Sequence, residues 1–499
     1  MRTLAFIATS IAFFACSNAD ATITEAQVTG GEIRGVEDDG VASFKGIPFA
    51  DPPIGPLRWK PPQKPMSWRG QKRADAFALP CTQAVRPPPA SGEDCLYLNV
   101  WTSARTRSDK RPVMVWIHGG SLTSGAPSLP VYDGTQFARD GIVLVTMAYR
   151  LGAFGFVAHP ELSRESGQGS GAYGFMDQIA ALEWVRSNIA GFGGDPSRVT
   201  VFGESAGAWS VSVLASSARA KGLFHRVIAQ SGAIFAPART TSTPTEPFQN
   251  LLSLPVAESN GIALLAALDV ASIAHARDKS AADVLAAADR STHETLAVID
   301  GEVMRDENIR LFETRRFNDV PLLLGHTSGE AIGHAPPEVT PEAIDAAAQM
   351  PPCPAEAAKW LSLYSHRTVD EAVAAMEESQ RDAEFGWPAW RWGNCRPATA
   401  TRQRMLITST SARVNHPEAP HISRMCPMSS VPRMPATMRA RSSYVAIGST
   451  SRSKAIRTIW LPTPGRHSTR NPRWRWSSTT TAARDLYPTW NASEHSMPW

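Results

Sequence analysis

The pentapeptide Gly203-Glu204-Ser205-Ala206-Gly207 follows the apolar run Val199-Thr200-Val201-Phe202 and precedes a stretch able to form a helix. A strand that turns at once into a helix leaves the chain few paths. The residue at the turn is lifted above the edge of a sheet, and the flanking glycines give the turn its room. This is the layout of a nucleophile elbow, and it points to acyl-transfer chemistry at Ser205. The pattern G-x-S-x-G alone decides little, since ordinary Gly and Ser usage supplies it in about one chain in six of this length. Its weight comes from the strand before it, the helix after it and the partners elsewhere in the chain.

Other segments fix what surrounds that turn. Val113-Met114-Val115-Trp116-Ile117 and Ile142-Val143-Leu144-Val145 are unbroken apolar runs, as strands buried on both faces of a sheet require. Val227-Ile228-Ala229 and Val320-Pro321-Leu322-Leu323-Leu324 read as further strands, and residues 35–48 as short strands and turns before a proline-rich loop at 51–56. Ile179, Leu182, Val185 and Ile189 recur at helical spacing between residues 177 and 190, and Gly191, Gly193 and Gly194 supply a stop. Strands alternating with helices predict an α/β fold with a mostly parallel central sheet and helices on both faces. At 499 residues the chain has room for one large domain of this kind or two smaller ones.

Residues 1–19 read as a secretory signal peptide: Arg2, an apolar segment over 4–15, then the small-x-small pattern Ser17-Asn18-Ala19. The mature chain is expected to start near Asp20 and to be secreted or periplasmic. Phe13-Phe14-Ala15 ahead of Cys16 does not match a lipoprotein signal, and no other run is long enough to span a membrane. In an oxidising compartment Cys81 and Cys95 form either a disulfide closing a short loop or two buried thiols. Six cysteines are too few for a disulfide scaffold, and none pairs with histidines at zinc-finger spacing, so neither a metal nor another cofactor is expected.

The formal net charge of +4 is unevenly divided. Up to residue 394 there are 34 basic and 43 acidic residues, net −9, whereas residues 395–499 hold 16 basic and 3 acidic, net +13. The second segment is rich in Ser, Thr, Arg and Pro and shows no sustained apolar period, a composition that builds no packed core. The chain therefore divides into a signal peptide (1–19), a globular domain (20–394) and a basic tail expected to be disordered (395–499).

Acyl transfer needs main-chain amides aimed at one point. Trp116-Ile117-His118-Gly119-Gly120-Ser121 supplies them where a buried strand gives way to a glycine turn. Gly120, Ser121 and Ala206 are the expected donors of an oxyanion hole, with Gly119 permitting close approach of the backbone. The serine also needs a base, and the base an anion that orients it and stabilises the imidazolium. Glu330, in Gly325-His326-Thr327-Ser328-Gly329-Glu330, lies just past the end of a strand, where catalytic groups of open α/β sheets gather. It also follows the nucleophile, the chain order in which an elbow serine, its acid and its histidine occur.

Further motifs accompany these: Phe44-Lys45-Gly46-Ile47-Pro48-Phe49-Ala50 with Pro56-Leu57-Arg58-Trp59; Glu93-Asp94-Cys95-Leu96-Tyr97-Leu98-Asn99-Val100; Tyr149-Arg150-Leu151-Gly152; Gly191-Phe192-Gly193-Gly194-Asp195-Pro196; and Gln230-Ser231-Gly232. With them the chain resembles the type-B carboxylesterases, the esterase and lipase family that includes the cholinesterases, from about residue 35 to 394. The resemblance implies an α/β-hydrolase fold, Ser205 as nucleophile, Glu330 as triad acid and a Cys81–Cys95 disulfide. Ser121 and Leu122 stand where the family usually has glycine and an aromatic, which keeps the amide donors and changes the pocket wall.

The family's catalytic histidine sits in a segment of the form His-x-x-Glu/Asp-aliphatic-x-Tyr-Val-Phe-Gly, and the chain as written has none. His421 lies in the expected region, followed by Ile422-Ser423-Arg424-Met425-Cys426-Pro427-Met428-Ser429-Ser430-Val431. When the last base of each codon is joined to the first two of the next, permissible codons for residues 424–431 encode Asp-Val-Pro-Tyr-Val-Phe-Gly. The codons of His421 and Ile422 regroup to a histidine at the family's spacing. The reading frame is therefore expected to slip close to Asn394.

Together these features predict a secreted serine carboxylesterase that acts on a small-molecule ester. The alternative is an inactive or non-catalytic protein of the same fold, its histidine segment lost. Alternating Arg473-Trp474-Arg475-Trp476 resembles a nucleic-acid or membrane contact, but an exported esterase has little use for nucleic acid, and none is expected as a partner. No pattern assigns the ester or an oligomeric state.

Overall fold

Val143–Met147 is buried at every position, and so are Val199, Val201 and Phe202 of the elbow strand, which is why both read as unbroken apolar sequence. The computed structural model describes residues 22–83, 90–242, 249–291, 293–330, 339–348 and 363–395, and the backbone of Arg404–Ser409. Among the described residues these runs occupy the middle of a nine-stranded sheet. Its strands are β1 (Val36–Asp38), β2 (Val41–Pro48), β3 (Tyr97–Thr102), β4 (Arg111–Ile117), β5 (Val143–Met147), β6 (Gly194–Glu204), β7 (Arg226–Gln230), β8 (Leu322–Thr327) and β9 (Arg404–Ser409). Their spatial order is β9-β8-β7-β6-β4-β5-β3-β2-β1. Strands β4 to β9 are parallel to one another, and β1, β2 and β3 join antiparallel. This is the mostly parallel sheet expected, and it is the α/β-hydrolase fold.

The helix Ala206–Ser216 leaves the end of β6 directly and is buried along its length except at Trp209. It packs on β6 and β7 and against the helix Tyr173–Asn188, which is itself buried on most sides. Burial around the full circumference, rather than along one stripe, is what a helix sandwiched between sheet and second layer requires.

Several boundaries differ from the sequence reading. The helix expected over 177–190 begins at Tyr173, ends at Asn188 and closes with a 3-10 turn, Ile189–Phe192. Gly193, left-handed at φ 75°, then ends it. The strand expected from Val320 begins after Pro321, which has no amide to contribute to a ladder. Strand β3 escaped periodicity because Asn99 and Thr102 interrupt its apolar run. Asn99 is buried and satisfied, donating to Thr146 Oγ1 at 3.0 Å and accepting from Gly46 N–H at 3.0 Å. Strand β9 pairs with β8 from within the segment read as a tail, so the sheet continues past residue 394.

The Cys81–Cys95 disulfide is formed, and both cysteines are buried. No helix among the described residues is long and apolar enough to cross a membrane.

Candidate active site

Ser205 stands between β6 and the helix Ala206–Ser216 with φ 55° and ψ −124°, a backbone state that L-residues rarely adopt. Close packing at the elbow explains its glycines. A Cβ on Gly207 would lie 2.1 Å from the carbonyl oxygen of Ile117, the last residue of β4, and one on Gly203 would lie 2.6 Å from the backbone of Gly207. The Ser205 N–H donates to Gln230 O at 2.9 Å, and Ser205 O accepts from Trp209 N–H at 3.0 Å. The turn is thus held by β7 on one side and by its own helix on the other.

Beyond Ile117 the chain enters the glycine turn. Gly120, Ser121 and Leu122 all have positive φ, at 105°, 54° and 61°. The Gly120 carbonyl is drawn into the loop, accepting from Thr123 N–H at 2.9 Å and Ser124 N–H at 3.0 Å. The amides of Gly120, Ser121 and Ala206 have no acceptor among the described residues. Gly119 backs directly onto the nucleophile, since a Cβ there would sit 3.1 Å from Ser205 Cβ and 2.9 Å from Glu204 Oε2.

Glu330 lies three residues past β8. Its Oε1 accepts from Ser231 Oγ at 2.5 Å and from Thr327 N–H at 2.7 Å. Ser231 follows Gln230, the residue that accepts the Ser205 amide, so Glu330 and Ser205 are tied to adjacent residues at the end of β7. Gly119 and Ser205 therefore meet at the carboxyl ends of β4 and β6, with Gly120 and Ser121 following the one and Ala206 the other, and Glu330 is joined to the end of β7 through Ser231. His421 lies outside the described residues, as do residues 1–19.

The model of the carboxylesterase family matches residues 20–386 of this chain. The chain belongs to the carboxylesterase family. It is 39% identical over 310 residues to the fumonisin B1 esterase of Sphingopyxis macrogoltabida, an alignment covering 60% of this chain and 55% of that protein. It is 37% identical over 312 residues to the para-nitrobenzyl esterase of Bacillus subtilis, covering 60% and 61%. The chain thus spans little more than half the length of these relatives. Among solved structures, a Geobacillus stearothermophilus carboxylesterase superposes with a TM-score of 0.67 at 31% identity, over 80% of this chain and 82% of that one.

Two further carboxyls of the chain escaped the sequence reading. Burial, and then the charge of Glu330, pushes Glu204 up to about 7. The same two causes push Glu384 up to about 7. Glu384 lies in the π-helical turn Asp382–Gly386 that follows the helix Val369–Arg381, and Arg381 at this junction donates to Ser328 O at 3.3 Å, in the loop that carries Glu330. Glu204 was open to view, because it sits inside the elbow motif itself. No local pattern marks Glu384.

Two histidines of the chain lie near these groups, and neither is oriented as a triad base. His118 is buried, pushed down to about 4 by burial, and stacked on Tyr149 with ring centroids 4.5 Å apart. His118 Nδ1 lies 2.8 Å from Gly119 O and His326 Nδ1 lies 3.0 Å from Thr327 O. A carbonyl can only accept, so Nδ1–H is committed to the backbone in both. A triad imidazole directs that proton to its acid.

Proposed function

We propose that this protein hydrolyses small-molecule carboxylic esters through an acyl-enzyme on Ser205. The observation that carries the reading is the Ser205 backbone, held in a strained state above the sheet with the Gly119-Gly120 turn against it. Ser205 Oγ, losing its proton to a histidine, bonds to the ester carbonyl carbon while the carbonyl electron pair moves onto oxygen. The amides of Gly120, Ser121 and Ala206 receive that oxyanion. Collapse breaks the bond to the alcohol oxygen, which leaves with the proton from the imidazolium. Water, activated by the same histidine, then releases the acid and restores the serine, with Glu330 orienting the imidazole throughout. No cofactor enters either half-reaction.

The base is assigned to the segment at His421. In the chain as written it is His421 itself; in the shifted frame it is the histidine encoded across the codons of His421 and Ile422. Residues 1–19 direct export, so the esterase is secreted or periplasmic, with residues 20–394 as its catalytic part. The names of its relatives support the reaction class, and the elbow and its neighbours support the residues.

The composition of residues 395–499 favours a second reading, a protein of this fold that has lost turnover with its histidine segment. One experiment separates the two. The 499-residue chain is treated with a fluorophosphonate and assayed on p-nitrophenyl butyrate, beside Ser205→Ala. The esterase reading expects a covalent adduct at Ser205, absent in the variant, together with hydrolysis. A parent chain that takes no label and turns over no ester is the catalytically silent form.

A further inference from the structure

We propose that Gln83 is a positioning residue for the oxyanion turn, its carboxamide clamping Gly125 so that the Gly120 and Ser121 amides keep their aim. The assignment rests on the esterase reading of those amides.

Gln83 is buried, two residues beyond the Cys81 end of the disulfide. Its Nε2 donates to Cys81 O at 3.1 Å and to Gly125 O at 3.0 Å, while its Oε1 accepts from Gly125 N–H at 2.9 Å. One side chain thereby pairs both backbone groups of a single residue, as a neighbouring strand would. The reciprocal pattern also fixes which end of the amide is nitrogen. Gly125 is pressed against the start of the oxyanion turn: a Cβ there would lie 2.4 Å from His118 Nδ1 and 2.7 Å from Gly119 O. Its neighbour Ser124 closes on Gly120, donating to Gly120 O from N at 3.0 Å and from Oγ at 3.2 Å. A continuous line of contacts thus runs from the disulfide through Gln83, Gly125 and Ser124 to Gly120.

The turn needs such a hold. Ser121 and Leu122 are successive non-glycine residues at positive φ, and such residues persist only where their surroundings over-determine them. Two hydrogen bonds from Gln83 to Gly125, with a third anchoring Gln83 to the disulfide-linked Cys81, supply part of that constraint. Without them the loop is free to relax, and the amides no longer converge where charge develops.

The test compares the 499-residue chain with Gln83→Met and Gln83→Glu by hydrogen–deuterium exchange and by fluorophosphonate labelling of Ser205. Residues 119–126 are expected to exchange about tenfold faster in both variants, with 113–117 and 199–204 unchanged. The labelling rate at saturating probe is expected to fall about 10- to 100-fold, with the half-saturating concentration unchanged within about twofold. Unchanged exchange over 119–126 overturns the proposal. Equal loosening of the two sheet strands also overturns it, because Gln83 would then support the whole sheet. An unaltered labelling rate in a variant whose turn has loosened does the same. A parent chain that takes no label sinks the esterase reading instead, and the exchange measurement alone then decides the clamp.

Discussion

Ser231 Oγ lies 2.5 Å from Glu330 Oε1, while the residue before it, Gln230, accepts the Ser205 N–H at 2.9 Å. Two consecutive residues at the end of β7 thus set both the Ser205 turn and the Glu330 carboxylate. The arrangement explains how a carboxylate 99 positions from Ser231 in sequence is held in register with the elbow.

Ser231→Ala removes the hydroxyl donor and leaves Thr327 N–H as the remaining described donor to Glu330 Oε1. We expect kcat for p-nitrophenyl butyrate to fall about tenfold with KM little changed, since a mis-set acid weakens the transition state more than substrate binding. The loss of one buried hydrogen bond should lower stability by about 1–2 kcal/mol, read from urea unfolding. A kcat equal to the parent's would detach Ser231 from the acid's orientation.

Arg150 and Asp177 form a bidentate pair, Nε to Oδ2 at 2.8 Å and Nη2 to Oδ1 at 2.7 Å, with side chains 3% and 0% exposed. The Arg150 N–H also donates to Oδ2 at 3.0 Å, and neighbouring Tyr149 donates its hydroxyl to His118 O at 2.9 Å, so this pair stands behind the oxyanion turn. Asp177→Asn leaves a buried guanidinium without its anion and should cost about 3–5 kcal/mol. A midpoint of thermal unfolding within a degree or two of the parent's would contradict that.

Glu204 and Glu384 make stability depend on pH in an unusual direction. Both are raised in the folded chain from the ordinary 4.5 to about 7, so between those values the folded state holds protons that the unfolded chain has lost. Their contribution is full below about pH 4.5, declines as pH rises toward 7 and is constant above it. Glu384→Gln removes one such group. The variant should match the parent near pH 5 and exceed it near pH 8, by on the order of 1–3 kcal/mol. Parallel stability curves across this range would show that Glu384 is not protonated in the folded chain.

The elbow and the oxyanion turn were legible in the sequence because each is contiguous: Gly203 to Gly207 and Gly119 to Ser121 carry their own geometry. The central strands were legible because burial on both faces leaves an unbroken apolar run. Glu330 was singled out by chain order. Gln83 was not, because its meaning lies in Gly125, 42 residues away, and a lone glutamine after a cysteine has no periodic or motif signal. Glu384 was missed for a related reason. Its raised affinity for a proton comes from burial and from Glu330, neither of which is visible in the helix that carries it.

The reading frame supplies the remaining prediction. In the described site the charge of Glu330 acts on both Glu204 and Glu384, and the two nearby histidines commit Nδ1 to the backbone. Among the described residues no histidine is oriented as the base of a triad, and loss of one triad member typically leaves only residual catalysis. If the frame slips near Asn394, permissible codons regroup to a histidine where His421 and Ile422 stand, one base out of step. Adding a single base near codon 394 would move the codons beyond it into the recovered frame while leaving residues 20–393 untouched. We expect that chain to hydrolyse p-nitrophenyl butyrate about 10⁴- to 10⁶-fold faster than the chain as written, measured as kcat. Replacing the recovered histidine by alanine should return the rate to that of the unaltered chain, because Ser205, Glu330 and the amide donors are common to both. Equal rates for the restored and unaltered chains would mean that the base comes from elsewhere in the molecule.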